Sequence, residues 1–235
     1  LIFMASLTGV ILHRFKYSDT SLIVKIFTKE QGLISSIAKG VRKNKKGGFL
    51  YQTGNIIRFE YSKKVSNSLY AIKDGTIGIP YFNIQESIVK NILITFLCEV
   101  LLKSLEEEQQ EVKLFDFVVS QFILLDRMES NQQIREFHLL FLIKLTKHLG
   151  FYPDNNYEEG KSFNLLKGEF SYEAINYNQQ TSTAFAQLLN SQGSRSLIES
   201  KEKRKDVLNL LMKYYKTHQQ GMGEIKSLKV FEALA

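Results

Sequence analysis

The sequence predicts an α+β protein in two parts, a small barrel of five β-strands followed by a mostly α-helical domain. In residues 1–80 the apolar side chains recur with a period of two, which is typical of half-buried strands, and beyond Pro80 they recur at helical spacing. The charge divides at the same place: residues 1–80 hold thirteen Lys and Arg against four Asp and Glu, and the rest hold eighteen against twenty. We therefore expect a basic domain over 1–80 and a helical domain over 81–235, with a turn-rich insert at about 151–180.

The first part of the chain contains five short segments with strand character. Residues 20–28 alternate regularly, with Leu22, Val24 and Ile26 on one face. A closed or nearly closed barrel is favoured because closure removes the unpaired edges that separate strands would leave. The sequence predicts strands over residues 6–13, 20–28, 33–38, 55–62 and 69–72, and the pair Asp74-Gly75 is expected to end the last one.

The second part shows the apolar stripes of amphipathic helices. Because the first three stripes are broad, we expect their helices to pack together as a bundle. Between residues 151 and 180 the pattern gives way to turns and a small hairpin. The predicted helices span residues 83–105, 112–128, 131–149, 181–189, about 197–215 and 225–234, the last as a short helix or an extended tail.

The most unusual feature of the chain is the basic segment, residues 39–48. Five cations fall within its first eight residues, and no carboxylate is among them. Isolated ammonium groups cannot be buried, so the segment is either a solvated flexible loop or a binding site for an anion such as a phosphate backbone or a membrane surface. Because the excess charge lies in the first third of the chain, we favour nucleic acid and predict these contact residues: Arg14, Lys16, Lys39, Arg42, Lys43, Lys45, Lys46, Lys63 and Lys64.

Aromatic residues alternate with the cations of the first part. Exposed rings beside cations would suit single-stranded nucleic acid, because every base can stack on an aromatic face. An alternating aromatic within a strand is more often a core residue, and we assign Phe27, Phe59 and Tyr61 to the core. The candidates for exposure flank the strands and are Phe15, Tyr17, Phe49 and Tyr51.

The sequence offers little for catalysis. It has no glycine-rich phosphate loop and no dinucleotide fingerprint, its four histidines are scattered, and its single cysteine, Cys98, lies in an apolar run typical of a buried thiol. The four carboxylates of residues 1–80 are too widely separated to predict a nuclease metal site. We expect no enzymatic activity, no cofactor and no transmembrane helix, and we interpret the run 106–108 as a solvated helix terminus.

Several motifs, in the same order, resemble those of the RecO family of bacterial recombination mediators. They are LTGVIL at residues 7–12, YSD at 17–19 with LIV at 22–24, FT at 27–28 with GLI at 32–34, AKGVR at 38–42, LGFYP at 149–153 and KSLK at 226–229. The resemblance covers most of the chain and is more specific in its first part.

This resemblance implies an oligonucleotide-binding (OB) fold for the barrel, and a DNA repair role in the cytoplasm at the nucleoid. It further implies binding of single- and double-stranded DNA, annealing of complementary strands, and partnership with RecR and with the acidic C-terminal tail of single-stranded-DNA-binding protein, so that RecA can load. The alternative from composition alone is an RNA- or ribosome-binding module, since the 2′-hydroxyl is not read by charge.

Two expectations concern the helical domain. Many members of the family carry a four-cysteine zinc site after the LGFYP segment, but residues 154–180 here contain neither Cys nor His, so we expect no metal. That region must instead be held by turns and by Phe163, Leu165, Phe170 and Tyr172. For the acidic tail we expect an apolar pocket edged by cations, and the rim candidates are Arg127, Arg135 and Lys144.

Overall fold

The structure is a computed structural model that describes residues 6–43, 45–66, 69–173, 178–191, 198 and 200–234. Within these ranges the side chains of residues 43, 45–46, 63–66 and 233–234 lie outside the description. The chain forms two compact units, the first ending at Arg127 and the second beginning at Met128. The first unit therefore extends past residue 80, where the hydrophobic period changes, and includes two helices beyond that residue.

The first unit is built on a closed five-stranded barrel. Its strands pair in the order β1-β2-β3-β5-β4, and β4 returns to pair with β1. All pairs are antiparallel except β3 with β5. The strands are β1 (Ser6–Lys16), β2 (Leu22–Thr28), β3 (Gly32–Ala38), β4 (Ile56–Ser66) and β5 (Leu69–Ile79). The prediction of a basic five-stranded barrel followed by helices is confirmed.

The fifth strand differs from its prediction. It does not end at Asp74-Gly75 but continues to Ile79, because the pairing with β4 shifts register there. Position 75 has little room for a side chain, because a Cβ there would lie 3.0 Å from Leu50 Cδ2 and 3.1 Å from Tyr51 Oη. A β-bulge accommodates the pair Asp74-Gly75 within the strand, and glycine inside a strand commonly marks such a bulge.

The barrel core includes one residue that the sequence misplaced. Tyr51, expected to be exposed, is only 3% exposed, because helix α1 (Lys45–Leu50) brings it against the core. Burial raises the pKa of its hydroxyl to about 12. Phe27 and Phe59 are buried as predicted, whereas Tyr61 is only half-buried and packs edge-on against Tyr70 with ring centroids 5.3 Å apart.

The linker between helices α2 (Ile88–Ser104) and α3 (Val112–Arg127) covers an open edge of the barrel. Strand β3 pairs with β2 along its whole length but with β5 only over residues 36–38, so the first half of β3 has no neighbouring strand on its β5 side. Leu33 instead forms an isolated bridge with Glu107, and the N–H of Glu108 donates to the Leu33 carbonyl at 2.9 Å. Gly32 has φ +69°, and a Cβ there would lie 1.8 Å from the Gln109 carbonyl oxygen. Only glycine permits this approach.

Helix α2 begins later than the predicted residue 83. Ser87 caps it by accepting a hydrogen bond from the N–H of Lys90, and the preceding residues bind the end of α3 instead. The buried Asp126 carboxylate accepts the N–H groups of Phe82 at 3.0 Å and of Asn83 and Ile84 at 2.8 Å each. Burial alone would raise the pKa of Asp126, but these three donors hold it below its usual value.

The second unit combines helices with the predicted hairpin. Helix α4 packs with α5 and α6, whereas α2 and α3 belong to the first unit, so the three helices expected to form one bundle are divided between the two units. Ser130, Asn178 and Ser200 cap these three helices through their side chains. The elements are α4 (Asn131–His148), β6 (Ser162–Asn164), β7 (Glu169–Ser171), α5 (Gln179–Asn190), α6 (Lys201–His218) and α7 (Ser227–Leu234).

An aromatic cluster holds the hairpin of β6 and β7 to the helices. The buried Phe163 ring packs edge-on against Phe170, Phe185 and Tyr214, with centroid distances of 5.1, 4.8 and 5.3 Å. The Tyr214 hydroxyl donates to the Phe151 carbonyl at 2.8 Å. The expectation that Phe163 and Phe170 hold this region is confirmed. Leu165 is half-buried, and Tyr172, although 67% exposed, donates to Glu158 at 3.3 Å and lies with its ring centroid 5.5 Å from the Lys161 ammonium.

Candidate nucleic-acid interface

The register of the barrel brings predicted cations from different strands to one end. Lys16 on β1 pairs with Leu22 on β2, and Leu22 pairs with Ala38 on β3. Lys39 follows Ala38 directly, so Lys16 and Lys39 lie at the same level of neighbouring strands, at the end where the basic segment begins. Both side chains are exposed. Residues 23 positions apart in sequence thus share one surface.

Two arginines fasten the basic segment to the β1–β2 turn. The Arg14 guanidinium donates to the carbonyl of Gly48 in α1, and the Arg42 guanidinium donates to the carbonyl of Ser18. The N–H of Arg42 also donates to the Thr20 carbonyl at 3.0 Å. The segment is therefore not a featureless loop: it contains a 3₁₀ turn, Val41–Lys43, followed by α1. Sequence reasoning found these arginines as cations but missed that they anchor the segment, because their partners are main-chain carbonyls distant in sequence.

The remaining predicted contact residues have side chains outside the described part of the structure. The backbone of Lys43, Lys45 and Lys46 lies between the two arginine contacts, at Arg42 and Gly48. Lys63 and Lys64 belong to β4, in the hairpin that β4 makes with β5. That hairpin lies beside β3 at the level of Ser36, earlier along the strand than Lys39. The arginine contacts thus hold the backbone of Lys43, Lys45 and Lys46 near the Lys16–Lys39 end, whereas the strand register places Lys63 and Lys64 nearer to the level of Ser36.

Three aromatic rings are exposed beside these contacts. Phe15, Tyr17 and Phe49 are 43%, 59% and 44% exposed, as the sequence predicted for all three. Ser18 follows Tyr17 and Gly48 precedes Phe49, so these two rings adjoin the anchoring contacts, whereas Phe15 lies between Arg14 and Lys16 on β1 and projects from the opposite face of that strand. Exposed rings next to cations are the arrangement that stacks bases while holding phosphates.

Carboxylates pair with described cations elsewhere on the first unit, but none pairs with a described cation at this end. Among the side chains that the structure describes, no acid forms an ion pair with Arg14, Lys16, Lys39 or Arg42. By contrast, two other lysines of the barrel are paired with acids from the helical segments. These are Lys25 with Glu107, and Lys29 with Asp116 at 2.8 Å.

The acidic run 106–108 has a different role from the solvated terminus expected for it. Glu107 accepts hydrogen bonds from the Lys25 ammonium and from the Ser35 hydroxyl, the latter at 3.1 Å. The Lys25 hydrogen bond holds the pKa of Glu107 below its usual value. Glu108 accepts from the Tyr70 hydroxyl at 3.2 Å. Two of the three carboxylates thus bind the barrel, which sequence proximity could not reveal.

The three rim candidates for the acidic tail are exposed but do not share a helix face. Arg127 ends the first unit, whereas Arg135 and Lys144 lie on α4 in the second. Arg135 and Lys144 are nine residues apart, and at about 100° per residue they project from opposite sides of the helix.

The second unit contains a groove with the required character. It has a volume of about 340 Å³ and lies between α6 and the segment that leads into α7. Met222 and Ile225 are buried in its floor, and Met212 and Leu228 are half-buried. The cations that line it are Lys213, Lys216 and Lys229, the last 3.0 Å from Glu224. The sequence did not reveal this groove, because its apolar residues come from a helix and an irregular segment.

The described side chains of the types that perform catalysis are either buried or scattered. Burial raises the pKa of the Cys98 thiol well above its usual value and lowers the pKa of His138 to about 3, so neither reacts as a charged group near neutral pH. In the described part of the chain, His, Cys, Asp and Glu side chains do not gather in threes around a possible metal site. None of the described helices is both long and apolar enough to cross a lipid bilayer.

The barrel and its basic end together define a class. A closed barrel with the strand order 1-2-3-5-4 and a helix between β3 and β4 is an OB fold. The family models described as Recombination protein O N terminal and Recombination protein O C terminal match residues 4–80 and 85–229. The chain belongs to the RecO family.

Individual relatives agree with this assignment over nearly their whole length. The chain is 30% identical over 232 residues to DNA repair protein RecO of Flavobacterium psychrophilum, covering 95% of this chain and 96% of that protein. It is 29% identical over 236 residues to DNA repair protein RecO of Christiangramia forsetii, with 96% and 97% covered. The protein of the same name from Phocaeicola vulgatus is 29% identical over 235 residues, again with 96% and 97% covered.

Proposed function

We propose that this protein acts in DNA repair as a non-catalytic recombination mediator in the cytoplasm, at the nucleoid. It binds single- and double-stranded DNA, anneals complementary strands, and with RecR helps RecA to load onto single strands coated by single-stranded-DNA-binding protein. Membership of a family whose relatives are named DNA repair proteins supports the general role. The observation that supports DNA contact is the clustering of Arg14, Lys16, Lys39 and Arg42 with exposed aromatic rings at one end of the barrel.

The mechanism follows from charge and position. Phosphates would displace counterions as they bind the cations of this end, which gives affinity without reading sequence. The rings of Phe15, Tyr17 and Phe49 would stack bases of an unpaired strand. Holding two strands on one cationic surface lowers their mutual repulsion and raises their local concentration, which favours annealing. No bond is made or broken, so the proposal needs neither a nucleophile nor a metal.

The first prediction is that the double variant Lys16→Gln/Lys39→Gln binds single-stranded DNA with a flatter salt dependence. Neither lysine is in a described ion pair, so its removal takes away a phosphate contact and not a structural one. The slope of log K against log salt should lose about 1.4, at roughly 0.7 per contact. Fluorescence anisotropy of a labelled oligothymidylate, titrated at several salt concentrations, measures this slope.

A matched control separates local contacts from total charge. Lys147→Gln/Lys203→Gln removes two exposed lysines from the second unit and should leave the slope unchanged. Equal slopes for the two double variants would mean that DNA binds elsewhere. Parallel titrations with an RNA oligonucleotide of the same sequence test the alternative of an RNA- or ribosome-binding protein, and binding that strongly favoured RNA would replace the proposal with that alternative.

We assign the acidic tail of single-stranded-DNA-binding protein to the groove between α6 and the segment before α7. Such a tail needs an apolar slot for its aromatic end and cations for its carboxylates. The groove supplies both, with Met222 and Ile225 in the floor and lysines around it. The rim set Arg127, Arg135 and Lys144 remains the competing location.

The second prediction compares the two locations directly. Lys213→Gln/Lys216→Gln should weaken binding of a labelled tail peptide about tenfold, because each lost charge–charge contact at a partly desolvated site contributes up to about 1 kcal/mol. Arg135→Gln/Lys144→Gln changes the net charge equally and should have little effect. Peptide anisotropy measures both. If only the second variant weakened binding, the tail would dock on α4.

Annealing is tested on the complete system. The protein should accelerate pairing of complementary oligonucleotides that are coated with the cognate single-stranded-DNA-binding protein, and Lys16→Gln/Lys39→Gln should slow that acceleration. Failure of the unmodified protein to accelerate pairing, despite DNA binding, would restrict its role to binding.

A further inference from the structure

The acidic linker, residues 105–111, covers a cation that continues the proposed DNA surface. In the barrel register His13 pairs with Lys25, and Lys25 pairs with Ser35, so these three residues form one row across β1, β2 and β3. The next row on the same face contains Phe15, which pairs with Ile23. Side chains two residues apart along a strand share a face and lie about 7 Å apart. The Lys25 row is therefore directly adjacent to the exposed ring of Phe15.

The place where a phosphate would meet Lys25 is occupied by a carboxylate of the chain itself. Glu107 contacts the Lys25 ammonium and accepts the Ser35 hydroxyl at 3.1 Å. An anionic oxygen that accepts from one ammonium and one hydroxyl is the arrangement expected of a bound phosphate. The contact is accessible to solvent, since the Lys25 and Glu107 side chains are 28% and 51% exposed.

We propose that Lys25 and Ser35 form a further phosphate subsite for nucleic acid, and that Glu107 occupies it in the unbound protein. This inference rests on the proposed function, since it extends the same surface by one row. Exchange requires only that the Glu107 side chain turn away. The linker backbone stays in place, because its attachment is the main-chain bridge to Leu33 and the hydrogen bond from the N–H of Glu108. Exposed ion pairs contribute little to stability, so the exchange is feasible.

The neighbouring pair, Lys29 with Asp116, provides a matched comparison. It resembles the Lys25 pair in type and exposure, with side chains 43% and 55% exposed. Between the two pairs, however, Phe115 of α3 packs edge-on against Phe27 with ring centroids 5.5 Å apart. Helix α3 thus separates Lys29 from the surface that bears Phe15, and we expect no phosphate subsite there.

Salt dependence distinguishes an occupied subsite from an empty one. When a phosphate displaces Glu107 from Lys25, the liberated carboxylate stays beside the DNA, so the Lys25–Glu107 pair supplies no net positive charge and adds almost nothing to the slope. In Glu107→Gln no carboxylate is liberated. The slope of log K against log salt should therefore steepen by about 0.7 for single-stranded DNA, with tighter binding at low salt.

The experiment titrates labelled oligothymidylate into the intact protein and three variants across a range of salt concentrations. Glu107→Gln should steepen the slope, Asp116→Asn should not, and Glu107→Gln/Lys25→Gln should return to the slope of the unmodified protein. Circular dichroism establishes that each variant is folded. Equal slopes for Glu107→Gln and Asp116→Asn, or a steeper slope that persists without Lys25, would overturn the inference. Salt-dependent binding by the unmodified protein would still support the proposed function, whereas its absence would overturn both.

Discussion

Replacing Asp126 by alanine is expected to reduce the free energy of unfolding of the first unit by about 3–5 kcal/mol, the range for breaking a buried charged network. The carboxylate is buried and accepts three consecutive backbone N–H groups, those of residues 82–84. Alanine would leave all three without an acceptor where water cannot easily replace it. Urea unfolding followed by circular dichroism measures the loss, and amide hydrogen exchange locates it in the first unit.

The charge of Asp126 gives this prediction a pH dependence. Its pKa is lower in the folded protein than in the unfolded chain, so its contribution is fully present above the unfolded value, near pH 4, and is lost as pH falls through the folded value. Asp126→Asn removes this titration and places an amide NH₂ against the N–H of Phe82. The stability difference between the unmodified protein and Asp126→Asn should therefore be constant near neutral pH and shrink below about pH 4.

Asp116 on the same helix is the matched control for Asp126. Its carboxylate pairs with the Lys29 ammonium, and both side chains are about half exposed. Asp116→Asn should cost less than about 1 kcal/mol, as exposed ion pairs do. Similar losses in the free energy of unfolding for Asp126→Asn and Asp116→Asn would mean that neither the burial of Asp126 nor its backbone donors add to stability.

The other large effect is expected in the second unit. Phe163→Ala should reduce its free energy of unfolding by about 3–5 kcal/mol, the usual range for removing a buried phenylalanine. Phe163 is fully buried, and its ring packs on three other aromatic rings that join the hairpin to α5 and α6. Because the chain has no Trp, tyrosine fluorescence can follow unfolding, and Tyr214 is itself one of the ring partners.

Leu166 provides the control for Phe163. It lies between β6 and β7 of the same hairpin and is 74% exposed, so Leu166→Ala should change stability by no more than about 0.5 kcal/mol. We also expect a metal chelator to leave the unfolding curve unchanged, since the aromatic rings hold this region. A small effect of Phe163→Ala, or a large effect of the chelator, would contradict this account of the hairpin.

The sequence was most informative where a local pattern decides the structure. The alternation of Leu22, Val24 and Ile26 predicted β2 because a barrel buries one face of each strand, and all three side chains are buried. Helix α4 was placed within one residue at its end, since Gly150 and Pro153 follow it. The hairpin within 151–180 was also recovered from its turn residues.

Contacts between distant residues account for what the sequence did not predict. Ile84 continues the apolar stripe of α2, yet its N–H binds Asp126, 42 residues away, so the helix starts later. Tyr51 follows a basic helix and gave no sign of burial. Glu107 lies in an acidic run that could have been solvated, and its pairing with Lys25 crosses 82 residues. Neither propensity nor spacing encodes such pairings.

The bridge between Leu33 and Glu107 also limits where the chain can be truncated. A fragment ended near residue 80 would keep all five strands but lose the segment that satisfies the outer edge of β3. That edge would then present unpaired amide and carbonyl groups beside an apolar side chain, a template on which a second copy could add a strand. A soluble, monomeric fragment that contains the barrel should therefore retain the chain through Arg127, even though the strands alone end much earlier.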